Sequence, residues 1–353
     1  MPLYSRRSMI GAASAVPWAW SCARPKRPNI LFAIADDWSW PFASIYGDRV
    51  CQTPAFDRVA REGVLFNNAF VSSPSCTPSR GSILTGRPFW QLESGANLFG
   101  PLPAKFETYP DRLERSGYFV GYTGKGWSPG DFAVAGRSRN PAGTEFNRIH
   151  LSPPSSGINR TAYVANFLDF LKQRPAGAPF CFWYGSFEPH RAYERGSGLK
   201  AGKKLSEVRV PACLPDTEEV RSDLLDYALE VEWSDSNLGT MLKALEDAGE
   251  LDNTIVAVTG DNGLPFPRCK TSLYDTGARV PLAIRWPAGF RGGRSSHNFV
   301  SLPDLAPTFL EAAALNPPKE MPARSLLGLL RSSRDQVDDP TRQFVITGRE
   351  RHV

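Results

Sequence analysis

The chain has 353 residues, of which 41% are apolar and 22% charged, with a formal net charge of +5. It is too long for a disulfide-stapled miniprotein and too apolar for a disordered chain, and no apolar run approaches the ~18 residues of a membrane span. The charge suggests a nucleic-acid partner, but it sits entirely in residues 1–27, which hold Arg6, Arg7, Arg24, Lys26 and Arg27 and no acid, so nucleic acid is not expected as a partner.

In chain order the first element is a targeting signal. Ser5-Arg6-Arg7 precedes a short apolar run from Met9 to Trp20, the order of a twin-arginine export signal. Residues 1–27 are therefore expected to engage export machinery and place the protein in the periplasm or outside the cell. Cys22 is a weak candidate for lipid attachment, because Trp20 fits that pattern poorly.

Asn29 to Ala35 is a continuous apolar run of strand length, as in a buried parallel strand. Thr53 and Pro54 open a helix that Gly63 closes. Val64 to Val71 is strand-like. Gly117 ends a short helix, and Tyr118 to Thr123 is a third strand. Val164, Phe167, Leu168 and Leu171 share one helical face, and Phe180 to Tyr184 is another buried strand. Residues 222–248 read as a helix ending at Gly249. Thr254 to Thr259 and Pro281 to Trp286 are strands. This alternation predicts an α/β fold, with a mainly parallel, mixed central sheet and helices on both faces.

Four of the strands run into chemically loaded residues: Asp36-Asp37, Lys125, Glu188-Pro189-His190-Arg191 and Asp261-Asn262-Gly263. In open α/β sheets, sites form beyond the carboxyl ends of strands, so these clusters should gather along one edge. Asp36, Asp37, Asp261 and Asn262 offer only oxygen donors, which select Ca²⁺, or less readily Mg²⁺, over zinc. An Asp-Asp pair alone is equally consistent with caps and Asx turns, but a second acidic strand end favours a metal.

Beyond Cys22 there are five cysteines, Cys51, Cys76, Cys181, Cys213 and Cys269, with no C-x-x-C pair. A zinc ribbon is not expected from that spacing. Four of the five can pair outside the cytoplasm, in combinations the spacing leaves open, and the odd one invites a chemical explanation. Thr77 is expected to cap a helix that begins at Pro78, leaving Cys76 just ahead of an N-terminus that favours anions. Arg80 lies one turn in.

Cys76-Thr77-Pro78-Ser79-Arg80, followed by Leu84-Thr85-Gly86, resembles the signature of the sulfatase family. The resemblance spans about residues 28–353 and implies an alkaline-phosphatase-like fold. It further implies that a formylglycine-generating or sulfatase-maturing enzyme oxidises Cys76 to formylglycine, whose hydrate is the nucleophile. Asp36 and Asp37 match the family's first calcium ligands. Asp261 and Asn262 match its second metal segment, and position 76 also faces the cation. Lys125, Lys270 and His190 match sulfate-binding or proton-transferring residues, and Arg80 orients the modified residue. Glu188-Pro189-His190-Arg191 and the stretch from Asp261 to Pro267 are similar to segments of heparan N-sulfatases. Glu188 and Arg191 are therefore expected to bind a sulfated saccharide, with N-sulfoglucosamine the leading substrate.

There are two departures. Gly126-Trp127 stands where family members often carry a His, so that proton-transfer role is vacant or filled elsewhere. The chain ends at Val353, just after a family-like Gly348-Arg349-Glu350-Arg351-His352, so the family's smaller C-terminal domain is expected to be missing and 28–353 to be a shortened catalytic domain. Alternatives are an O-sulfatase, a phosphoester or phosphonate hydrolase of the same superfamily, and an inactive exported protein that binds sulfated glycans.

Overall fold

A computed structural model of the chain describes residues 27–332, 336–337 and 339–352. The paired arginines, the apolar run and Cys22 of the expected export signal lie outside the described residues. The strands are β1 (Asn29–Ala35), β2 (Val64–Phe70), β3 (Phe119–Gly124), β4 (Thr144–Glu145), β5 (Phe180–Ser186), β6 (Thr254–Gly260), β7 (Arg279–Arg285), β8 (Arg294–Ser301) and β9 (Gln336–Val337). The helices are α1 (Pro54–Glu62), α2 (Cys76–Thr85), α3 (Tyr109–Arg115), α4 (Tyr163–Gln173), α5 (Ser197–Lys200), α6 (Glu218–Asp247), α7 (Asp275–Ala278), α8 (Leu305–Ala312) and α9 (Leu327–Leu330). Among the described residues no helix is long and apolar enough to cross a membrane.

The strands form one mixed sheet in the order β4-β3-β5-β1-β6-β7-β2-β8-β9. Strand β1 lies inside the sheet between β5 and β6, and every one of its residues is buried. Its side chains alternate between two cores, as a period of two requires. Ile30, Phe32 and Ile34 pack with Ile83 of α2, Leu113 of α3 and Phe309 of α8. Leu31, Ala33 and Ala35 pack with Phe56 of α1, Phe167 of α4 and Leu238 of α6. Each buried side chain of this size contributes about 1.5–3 kcal/mol, so both faces of the sheet need helices over them.

The adjacent strands β3, β5, β1 and β6 are all parallel, and their ends are in register. Ala35 stands opposite Ser186 and Gly260, and Gly124 opposite Gly185. The residues that follow therefore emerge together, and backbone bonds fix them there: Asp261 N–H donates to the Ala35 carbonyl at 3.0 Å and Lys125 N–H to that of Gly185 at 2.7 Å. Gly124 has φ +73°, and a Cβ there would meet the Gly185 carbonyl oxygen at 1.9 Å, so the turn into Lys125 requires glycine.

Several expectations shift. Helix α2 begins at Cys76 with extended Ser75 as its N-cap, so Thr77 lies inside the helix. Its hydroxyl accepts the Gly130 N–H at 3.1 Å instead of capping. Helix α6 starts at Glu218, four residues early, because the Thr217 hydroxyl accepts the Val220 N–H. Leu168 is 46% exposed, and Phe170 takes the core position. Strand β8 was not expected, since Arg294-Ser295-Ser296-His297-Asn298 is polar; it is fixed by parallel pairing with β2.

Candidate active site

The floor of the site is acidic and buried. Ligand atoms of Asp36, Asp37, Cys76 and Asp261 lie within 4.8 Å of one another. Asp37 has φ +69°, a left-handed conformation that Asp tolerates better than most residues, and its N–H donates to Asp261 at 2.9 Å. Three carboxylates this close repel unless cations balance them, and the chain supplies three. Arg80 Nε donates to Asp261 at 2.6 Å, Lys125 Nζ to Asp36 at 2.6 Å, and Lys270 Nζ to Asp37 at 2.8 Å. Burial pushes Asp36 up, but Lys125, Arg80 and Lys270 together outweigh it and hold the carboxyl below the usual range. Burial raises Asp37, which Lys270 opposes and the charges of Asp36 and Asp261 reinforce.

Oxygen donors converging on one buried point fit a hard divalent cation. Asn262 adds an independent indication. Its Nδ2 donates to Asp37 Oδ1 at 2.7 Å and to Asp261, while its buried Oδ1 has no hydrogen-bond partner. Turning the amide over presents that oxygen to the carboxylates, an arrangement that becomes favourable with a cation among them.

Cys76 is the first residue of α2, and its Sγ lies 3.5 Å from Asp36 Oδ1. Burial pushes its thiol up to about 12; Lys125 opposes, and Asp36 and Asp261 add to the rise. An unmodified thiol here stays protonated at neutral pH and is a poor nucleophile. The thiol is raised in spite of its place at the helix N-terminus, and burial is the largest cause.

Above this floor opens a cavity of about 830 Å³, bordered by Asp36, Cys76, Lys125, His190, Lys270 and His352. Strand ends bring Asp36 and Lys125, and the loop after β5 brings His190. Lys270 comes from the loop between β6 and α7, where its N–H donates to the Leu264 carbonyl at 2.8 Å. His190 is half-exposed; its Nδ1 donates to the Arg191 carbonyl at 2.6 Å, and Nε2 lies 3.8 Å from Asp37. Arg191 borders the cavity, but its guanidinium is engaged by Asp223 and the Pro265 carbonyl and lies over the Phe266 ring.

Other expected residues lie behind the wall. Glu188 is 1% exposed and accepts from the Asn159 N–H and the Tyr163 hydroxyl, both at 2.8 Å. It anchors the 156–160 loop, and Asn159 and Arg160 take its place at the cavity. Arg80 is fully buried; besides Asp261 it donates to the Lys125 and Gly126 carbonyls at 2.7 and 3.0 Å. It therefore acts from beneath the floor. Trp127 is also fully buried, and its indole N–H donates to the Thr77 carbonyl at 3.1 Å, so it braces α2 in place of titrating. His352, like Asn159 and Arg160, was not expected at the cavity. Its Nδ1 lies 2.9 Å from the Ser75 hydroxyl, beside Cys76, and the one signal was the family-like run ending at His352.

The Sulfatase family model matches residues 28–315. Human N-sulphoglucosamine sulphohydrolase is 32% identical over 324 residues, covering 82% of this chain and 61% of the human protein. An ulvan-active sulfatase of Formosa agariphila is 27% identical, covering 86% of this chain and 55% of that protein. The chain thus spans 55–61% of the length of these curated relatives. The solved structure of BT4656 with D-glucosamine-2-N,6-O-disulfate superposes with TM-score 0.69 at 23% identity, covering 89% of this chain and 82% of that one, and this shows the shared fold. The chain belongs to the sulfatase family.

Proposed function

We propose that residues 28–353 form a hydrolytic domain that releases sulfate from a sulfated sugar, with N-sulfoglucosamine the leading substrate. The observation that carries the reading is the meeting of Cys76, three buried carboxylates and two lysines at the floor of one cavity. The similarity to human N-sulphoglucosamine sulphohydrolase supports the choice of substrate.

Asp36, Asp37, Asp261, Asn262 and position 76 would hold Ca²⁺, which supplies charge to stabilise an oxyanion. Cys76, oxidised to formylglycine by a maturing enzyme, supplies as its hydrate a hydroxyl nucleophile that the buried thiol cannot provide. The remaining roles belong to the chain's own side chains. Lys125 and Lys270 present ammonium groups at the cavity floor, where a sulfuryl group's oxygens meet them and where charge developing in the transition state is offset. Arg80 fixes Asp261 and the Lys125 backbone from below, so the floor keeps its shape as charge moves. With Nδ1–H donating to the Arg191 carbonyl, a proton carried on His190 Nε2 would pass to the leaving group as its bond to sulfur breaks, and Lys270 is the alternative donor. Asn159 and Arg160 supply polar contacts for the sugar. The arginine pair and apolar run at residues 5–20 support export through the twin-arginine route.

The test offers N-sulfoglucosamine, O-sulfated glucosamine and an aryl phosphate to the wild-type chain and to Cys76→Ala, measuring released sulfate and phosphate. Sulfate release fastest from the N-sulfated sugar and abolished in Cys76→Ala is expected. Preferential phosphate release would move the chain to phosphoester chemistry, and tight sugar binding with no release would make it a binding protein.

A further inference from the structure

Cys213 and Cys269 are 56 residues apart in the chain, yet their sulfurs lie 3.6 Å from each other. Among the described residues no other pair of cysteine sulfurs is in contact; Cys51 and Cys181 are buried separately and Cys76 belongs to the site. The two thiols differ in access. Cys269 is buried, and Cys213 is half-buried in the turn where the Leu214 N–H donates to the Pro211 carbonyl, just ahead of α6. Cys269 immediately precedes Lys270, whose ammonium reaches Asp37, and the next residue, Thr271, donates its N–H to the Pro74 carbonyl, two residues before Cys76. A bond at Cys269 therefore fastens the loop that delivers Lys270.

We propose that Cys213 and Cys269 form a disulfide that clamps the Lys270 loop to the segment leading into α6. A disulfide needs the sulfurs to close from 3.6 Å to about 2.05 Å, a move of about 1.5 Å that the half-exposed Cys213 turn accommodates. The reaction is thiol–disulfide exchange with a small-molecule disulfide. The Cys213 thiolate, its proton lost to water, attacks one sulfur of the reagent and expels a thiolate. Cys269 then gives up its proton and attacks the Cys213 sulfur, expelling the second thiolate. The two cysteines are oxidised by two electrons, and the reagent is reduced to two thiols. The buried thiol of Cys269, which burial pushes up to about 12, is the slower partner, so exchange starts at Cys213. The linkage is read by mass and mapping and does not depend on the hydrolase reading.

The test incubates the full chain with oxidised glutathione, blocks residual thiols and maps the peptides without reduction. Tryptic peptide 210–221 joined to the dipeptide Cys269-Lys270, with intact mass lower by two hydrogens, is expected. Closing a loop of 56 residues should raise Tm by about 5 °C over the reduced protein. Cys213→Ser, at a partly exposed position that should fold normally, should lose both linkage and rise. Full blocking of both thiols, a glutathione adduct persisting at Cys213, links to other cysteines, or a link with no rise in Tm would each overturn the clamp.

Discussion

Arg80→Met retains most of the side-chain volume and removes the guanidinium that donates to Asp261 at 2.6 Å and to the Lys125 and Gly126 carbonyls at 2.7 and 3.0 Å. Arg80 and Asp261 are both 0% exposed, so water cannot take over these contacts. Removing one partner of a buried ion pair costs about 3–5 kcal/mol. Each carbonyl left unpaired adds about 1–3 kcal/mol, part of which local relaxation recovers. A net loss of at least about 4 kcal/mol corresponds to a fall in Tm of roughly 5 °C for a chain of this length. Thermal melts of wild type, Arg80→Met, Asp261→Asn and the double variant complete a cycle. The double variant should lose less than the sum of the singles by about 2 kcal/mol, because it removes the stranded charge. A single variant within about 1 kcal/mol of wild type, or strict additivity, would refute Arg80 as the buried counter-ion.

The remaining predictions concern pH, metal and packing. Glu230 is buried beside Glu188 and Asp226, its Oε2 has no partner, and burial followed by those two charges pushes it up to about 9. A raised pKa means that stability is fully present below the unfolded value of about 4.3 and is lost as pH rises through about 9. Glu230→Gln should therefore melt a few degrees above wild type at pH 8 and level with it near pH 4; a gap independent of pH would contradict this. Ca²⁺ at about a hundred times its Kd should stabilise the chain by about 2.7 kcal/mol, and Asp37→Asn should weaken that response. A melt indifferent to Ca²⁺ and chelator counts against the metal site. Trp127→Phe leaves the Thr77 carbonyl without its indole donor and should cost about 1–3 kcal/mol in denaturant melts. No loss would show that Trp127 does not brace α2.

The sheet and the placement of the site were legible because the signal is local. A buried strand is a continuous apolar run, and Asp36, Lys125, His190 and Asp261 each follow one. Parallel register then brings them together without any side chain having to specify it. What was not legible depends on long-range packing. Ser75 and Thr77 are both capping residue types, yet neither side chain caps α2: the Ser75 hydroxyl meets His352 and that of Thr77 accepts the Gly130 N–H. Glu188 looks like a ligand in sequence because it adjoins His190; its burial against Tyr163 and Asn159 comes from the 156–160 loop folding over it. His352 reaches Ser75 from 277 residues away, and no periodicity encodes that. The contact of Cys213 with Cys269 likewise joins two irregular segments.

The most direct test of the central claim is the mass of the tryptic peptide 62–80, which contains Cys76, from protein produced in its native host and active in sulfate release. An aldehyde, free or hydrated, is expected in place of the CH₂–SH of Cys76. Sulfate release by protein whose Cys76 is entirely an unmodified thiol would contradict it.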